Sequence, residues 1–362
     1  MMARLARVEP TPDVFAAVMA TGILSIAARD HGYRWISDVL GVLATAALVV
    51  LTVVVAAVIG RRRAARWDLT KPDVTLRLFT FVAACAVVDA RLSAHLAVLR
   101  VLGAVALSSW LVLIALTARN MRARRWTELR DHAHGAWELG SVGTSGLAIL
   151  MAQVAHHTGH RWWLAIAVPV WLVALGIYAL MTWLILWRAV SERQHRDGFE
   201  PDAWILMGGL AIATLCGYYI HHEAPQWLFG GLRGITVVTW VAATLWIPPL
   251  IYFALHRIGR RPEVLHFAGV WWSLVFPLGM YSAATYAMAG ELNRPALKTV
   301  SLVFFWDALA VWLIVAIAGL LRLWRVLVIP REAGPRPRGV RARRAPAWSR
   351  GPRGATRRPG PR

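Results

Sequence analysis

Cysteine is nearly absent and charge is scarce. Two cysteines, Cys85 and Cys216, occur among 362 residues. With no second pair to draw on, they build neither a disulfide framework nor a cysteine-based zinc site, and both read as packing residues. Charged residues make up 16% of the chain, and the acids number 19 against 40 Lys and Arg. The HExxH pattern of zinc hydrolases does not occur. What dominates is apolar: 58% of all residues, with a mean hydropathy of +0.51. A water-soluble globule of this composition would expose several stretches long enough to cross a bilayer, so an integral membrane protein is expected.

Ten apolar segments stand out, at 12–29, 39–60, 74–90, 96–118, 139–154, 162–187, 203–220, 234–255, 267–289 and 296–321. Segments of this length in hydrocarbon must be helices, because every backbone polar group has to be satisfied internally. They alternate in kind. Segments rich in Gly, Ala, Ser and Thr begin near Pro12, Val74, Glu138, Asp202 and Phe267, a spacing of roughly 64 residues that implies one supersecondary unit used five times. Each is followed by a segment of bulky Leu, Val, Ile and Trp, among them Trp171, Trp183, Trp187, Trp240, Trp246, Trp306 and Trp312. Small side chains permit close helix approach, whereas bulky ones and aromatic girdles suit lipid contact. The expected architecture is an inner ring around a path and an outer ring around that.

The formal charge of +21 is unevenly placed. Arg61, Arg62, Arg63, Arg66 and Lys71 follow the second segment, and Arg119, Arg122, Arg124, Arg125 and Arg130 the fourth. Further clusters follow the sixth and eighth, while the intervening loops carry one or two basic residues each. The positive-inside rule puts the basic loops and both chain ends in the cytoplasm, at the inner (plasma) membrane. Residues 1–11 form a cytoplasmic N-terminus, 12–325 the ten-helix domain, and 326–362 a disordered tail. From Arg331 to Arg362 that tail holds eleven arginines and one acid, Glu332, which favours anionic headgroups over nucleic acid, since no recognition module accompanies it. Arg4, Arg7 and the apolar run after Val14 could pass for a signal peptide; Thr11-Pro12-Asp13 reads instead as a helix start, and the five-fold repeat needs this segment.

The first segment reads Pro12-Asp13-Val14-Phe15-Ala16-Ala17-Val18-Met19-Ala20-Thr21-Gly22-Ile23 and the ninth Trp271-Trp272-Ser273-Leu274-Val275-Phe276-Pro277-Leu278-Gly279-Met280. With ten helices in five hairpins, the chain resembles the tellurite-resistance and dicarboxylate transporter family, which includes TehA, malate permease, sulfite efflux pumps and the plant slow anion channels. The resemblance implies an all-α membrane fold, five helical hairpins in quasi-five-fold arrangement around a central pore lined by the odd-numbered helices, and a homotrimer. It also implies a phenylalanine gate, matched here by Phe276 before the kink-permitting Pro277. It names no single anion: C4-dicarboxylates, sulfite, nitrate, chloride and tellurite-related species all remain open.

Candidate pore-lining hydroxyls are Thr21, Ser25, Thr144, Ser145, Thr214 and Ser282. Three acids are notable. Glu138 sits where a helix dipole favours a carboxylate, Asp89 lies near the outer end of the third segment, and Asp307 lies well inside the tenth. An ionisable group at that depth is a functional candidate, so Asp307 either carries a proton or holds two helices together. The functional expectation is passage of small anions without enzymatic catalysis, cofactor or metal, with a proton-coupled C4-dicarboxylate carrier as alternative. A rival of another class is a membrane-embedded metalloenzyme using His156, His157, His160, His221, His222 and Glu223, residue types that ligate zinc or iron.

Overall fold

The computed structural model describes residues 10–60, 67–92, 96–191, 201–260 and 271–328. The basic loops at 61–66, 192–200 and 261–270, the first nine residues and the arginine-rich tail from 329 lie outside the described residues. Helices account for nearly everything else: α1 (Ala16–Asp30), α2 (Arg34–Gly60), α3 (Pro72–Arg77), α4 (Phe79–Leu92), α5 (Leu96–Arg122), α6 (Trp126–His132), α7 (Leu139–Thr158), α8 (Trp162–Ser191), α9 (Trp204–Glu223), α10 (Gln226–Arg260), α11 (Trp272–Glu291) and α12 (Ala296–Val328). Short 3₁₀ turns at Gly135–Glu138 and Pro201–Ala203 lead into α7 and α9.

Five antiparallel hairpins organise the chain: α1 with α2, α4 with α5, α7 with α8, α9 with α10 and α11 with α12. The first helix of each hairpin packs on the first helix of the next, in the order α1, α4, α7, α9, α11, and α11 returns to α1, so these five close a ring. Every second helix also touches the first helix of the following hairpin, α12 reaching α1. It therefore lies in the groove between two ring helices.

Burial separates the two sets. The apolar window of α9 is 83% buried, while those of α2, α5, α8, α10 and α12 range from 11% to 33%. Valines, leucines and isoleucines cover the exposed faces of the outer helices, as expected of a surface whose solvent is hydrocarbon. Among the described residues six helices, α2, α5, α8, α9, α10 and α12, are long and apolar enough to cross a membrane by length and composition. The ring helices α1 and α4 are only 15 and 14 residues long, below the roughly 20 needed to span hydrocarbon alone. Their neighbours are protein, so nothing requires them to read as lipid-exposed spans.

Three boundaries depart from the sequence expectation. The third segment is broken at Leu78 into α3 and α4, because Pro72 at the first helical turn starts a helix of six residues before the long one. The eighth begins at Gln226 and not near 234. The seven-residue α6 was absent from the sequence reading, being too short to show a helical period. Opposite the arginine-rich end, hairpins turn on residues in the left-handed region: Gly32 (φ 81°), Gly159 (φ 67°) and Asn293 (φ 50°). In two of these turns a backbone N–H reaches five residues back, Tyr33 to Ala28 and Arg294 to Ala289, closing the helix end in the Schellman manner.

Candidate functional site

Glycines and alanines seal the ring more than they hollow it. A Cβ added to Gly22 of α1 would lie 2.6 Å from Val87 of α4, one on Gly146 of α7 3.0 Å from Ala86 of α4, and one on Gly208 of α9 3.0 Å from Pro277 of α11. At Gly279 of α11 it would meet Ile23 of α1 at 3.1 Å. Each of these four seams thus depends on a missing side chain, the close-approach packing used by membrane helices.

Phe276 and Pro277 lie inside α11, and Phe276 is fully buried. Pro277 faces Gly208 of α9, while Gly279 faces α1. Ser282 and Thr285 bond to the outer helices α12 and α10. With about 100° between successive residues, the helix face left over is the inward one, and it carries Phe276, Met280 and Ala283. A phenyl ring and a thioether are thus presented to the middle of the ring from a helix where Pro277 gives no N–H to the preceding turn.

The hydroxyls expected along a path are turned outward. Thr21 accepts from Trp312 of α12 at 2.9 Å, and Ser25 donates to the Ser37 carbonyl of α2 at 2.7 Å. Thr144 accepts from Trp110 of α5, Thr214 donates to Thr239 of α10, and Ser282 donates to the Ser301 carbonyl of α12. Ser145 is buried without a partner, as is Ser141 one turn earlier on α7. The reason is the surroundings: a hydroxyl in an apolar interior is costly unless bonded, and the outer helices supply the bonds.

Two of those bonds belong to a set of four that repeats around the ring and that the sequence reading missed. An indole N–H from an outer helix crosses to the ring helix of the next hairpin at Trp110–Thr144, Trp171–Ala213 carbonyl, Trp240–Thr285 and Trp312–Thr21, all between 2.9 and 3.2 Å. Tryptophans read as a lipid girdle are therefore of two kinds. Trp183 and Trp306 are about half exposed, whereas Trp171 is fully buried, and Trp246 donates to the Tyr178 hydroxyl at 2.8 Å.

At the arginine-rich end, side chains of four hairpins meet around His134. Its Nδ1 lies 2.6 Å from Asp202 Oδ2 and its Nε2 2.6 Å from Asp73 Oδ1. Both partners are carboxylates, so both ring nitrogens donate and the imidazole is held as the cation. Burial disfavours that charge, yet the bonds to Asp202 and Asp73 lift the His134 pKa to about 9. Asp73 is likewise opposed by burial, but His134 and Arg77 hold it at about 2. Arg77 continues the chain to Asp13 at 3.1 Å, and Asp202 also caps the Ala136 N–H at 3.0 Å. These side chains come from ahead of α1, from α3, from ahead of α7 and from ahead of α9.

The remaining acids are spread along the helices, and the histidines of α7 and α9 lie at the opposite end. Glu138 makes no bond to the start of α7 despite its position; it accepts from Thr182 of α8 at 2.7 Å. Asp89 on α4 is fully buried, and neither carboxyl oxygen has a partner. Asp307 is exposed on the outer face of α12 and touches no ring helix by any hydrogen bond among the described residues. The histidine groups split: His156 pairs with Glu223 at 2.7 Å, whereas His221 meets Glu291 at 3.1 Å. His221, His222 and Glu291 place three possible ligand atoms within 4.8 Å of one another. The same carboxylate is already bound by Arg233, so a charge-neutralising partner is present without an ion. Glu223, expected with this group, is replaced in it by Glu291 from α11.

Comparison with known proteins agrees with this architecture. Residues 9–320 match the family described as voltage-dependent anion channel. An uncharacterized membrane protein of Mycobacterium tuberculosis is 35% identical over 148 residues, covering 39% of this chain and 74% of the relative. An uncharacterized transporter of Methanocaldococcus jannaschii is 21% identical over 197 residues, 52% of this chain and 55% of the relative.

Proposed function

The chain belongs to the voltage-dependent anion channel family, and we propose that it carries small anions through the centre of its five-helix ring with Phe276 as the gate. Family membership implies anion transport; the gate and the route are the finer reading. The observation that carries it is the placement of fully buried Phe276 on the inward face of α11, between seams to α9 and α1. An apolar constriction of this kind closes a path by excluding water, and displacing the ring would wet it. The hydroxyls of Thr21, Ser25, Thr144, Thr214 and Ser282 brace the wall from behind. Entry is favoured by the basic loops, which under the positive-inside rule face the cytoplasm, together with both chain ends. Three such protomers assembling side by side complete the proposal.

A proton-coupled dicarboxylate carrier is the second reading, and Asp89 supports it: a carboxyl buried without a partner in a ring helix is the sort of group through which protons move. Asp307, exposed on α12, is better placed for contact with lipid or a neighbouring protomer.

The test is flux into vesicles reconstituted with the full chain, using chloride, nitrate, sulfite and malate, each with and without a pH gradient. Phe276→Ala should raise flux at least tenfold for the permeant anion. An unchanged or lower flux in a variant that elutes and melts like wild type would remove the gate.

A further inference from the structure

A cavity of about 530 Å³ opens between the outer helices α5 and α8 at the arginine-rich end, where the second and third hairpins meet. Its walls are apolar, with Ile114 and Ala118 on one side and Ile177 and Met181 on the other, and Phe79 and Gly140 of the ring also line it. The mouth is different. Arg122 and Arg124 stand there beside Trp126; Arg124 pairs with Glu128 at 3.0 Å, while Arg122 makes no ion pair among the described residues. From Ile114 to Arg122 the groove follows α5 for about 12 Å at 1.5 Å per residue, most of the ~15 Å depth of one hydrocarbon leaflet.

Two further observations point to an occupant. Trp126 packs edge-on to Trp183, which stacks on Trp187, and Arg130 lies 5.0 Å over that last ring. Such an aromatic and basic cluster marks the headgroup level. Deeper in, Thr117 lines the cavity at 5% exposure, and its hydroxyl has no partner. Elsewhere Thr45, Thr52, Thr144, Thr236 and Thr244 each donate to the carbonyl four residues earlier. Thr117 does not, and a buried donor left unmade is costly.

We propose that this groove binds one anionic phospholipid from the leaflet on the arginine-rich side. The phosphate pairs with Arg122, the Thr117 hydroxyl donates to an ester carbonyl about a turn and a half below, and one acyl chain fills the space between α5 and α8. Basic pockets between membrane helices recognise headgroups in this way, and the apolar walls match an acyl chain as they match no water-soluble anion. The bound lipid also touches Phe79 and Gly140 beside the α4–α7 seam, so it wedges the ring from outside. This reading is independent of the gate, and either can fail alone.

Native mass spectrometry of the full chain in mild detergent, with phosphatidylglycerol or phosphatidylcholine added, tests it. Wild type should keep one phosphatidylglycerol with at least fivefold preference over phosphatidylcholine, and millimolar inorganic phosphate should not displace it. Ala118→Trp, which fills the groove, should lose the bound lipid; Arg122→Gln should keep a lipid but lose the preference. Equal retention of both lipids by wild type overturns the proposal, as does undiminished retention by Ala118→Trp. So does an Ala118→Trp variant that falls apart into monomers with its lipid unchanged, because the occupant is then a second copy of this chain. If Ala118→Trp does not fold, the Arg122→Gln comparison decides: an unaltered headgroup preference overturns the assignment.

Discussion

The indole N–H of Trp312 donates to the hydroxyl of Thr21 at 2.9 Å, across 291 positions of chain. The last hairpin is thereby fastened to the first, and Thr21 in turn donates to the Ala17 carbonyl at 2.7 Å. Neighbouring hairpins are joined by the equivalent bonds from Trp110, Trp171 and Trp240.

A double-mutant cycle measures that fastening. Thr21→Val and Trp312→Phe should each lower stability by about 1 kcal/mol, the scale of hydrogen bonds between membrane helices. Together they should cost less than the sum, because each alone already breaks the bond. Reversible unfolding in mixed micelles reads the coupling, and strict additivity would show that the two side chains do not interact.

The His134 clamp makes stability depend on pH in a defined direction. The folded pKa is about 9 against the ordinary 6.5, so the contribution is fully present below 6.5 and is lost as pH rises through about 9. Asp73, at about 2 against 3.8, adds stability above 3.8 that is lost as pH falls through about 2. The clamp is therefore strongest between these limits, with Asp202, Asp13 and Arg77 as its charged surroundings. His134→Gln should cost about 2 kcal/mol at pH 6 and flatten the decline between pH 6.5 and 9 in thermal melts. A variant that keeps the wild-type slope would show that another group governs it.

Gly135 and Gly103 should respond oppositely to a methyl group. At Gly135 a Cβ would lie 2.2 Å from the Asp202 carbonyl oxygen, which is backbone at the entry to α9 and cannot turn aside. Gly135→Ala should cost about 3 kcal/mol, at the upper end for overpacking. Gly103 in α5 has nothing within 4 Å, and Gly103→Ala should be neutral or gain up to about 1 kcal/mol from helix preference. Parallel melts of the two variants provide the check.

Asp89→Asn separates the two modes of transport. The amide keeps the shape of a side chain whose oxygens have no partner but cannot take up and release a proton. Flux at symmetric pH should stay within about twofold of wild type, while any acceleration by an imposed proton gradient should vanish. If the acceleration survives in the variant, Asp89 is not on the proton route.

Much of the frame was legible because membrane packing writes itself into residue size. Runs such as Thr144-Ser145-Gly146 and Gly208-Gly209 identified ring helices, and runs of bulky residues identified the outer ones. The inward residue Phe276 came from resemblance, since composition cannot say which face of α11 looks where. Hydroxyl direction was misread, because Thr21 or Ser282 can donate inward or outward with the same sequence. Trp171 was misread as lipid-facing for a related reason: an indole belongs equally at an interface or bonded to a buried carbonyl. A signal was available, as Trp110, Trp171, Trp240 and Trp312 recur at intervals of 61, 69 and 72 residues, near the repeat length. His134 gave no such clue; its partners at 73 and 202 lie in other repeats, and only the ring brings them together.

Closure of the ring has a consequence for biogenesis. While the chain emerges, α1 enters the bilayer with one flank bare, and the helices that cover it, α11 and α12, are the last to be made. Until Trp312 arrives, the nascent protein is an open C whose two lips must find each other laterally in the lipid. Early release from the insertion machinery would leave those lips free to capture the wrong neighbour, so the final hairpin acts as the clasp of a bracelet that is useless until fastened.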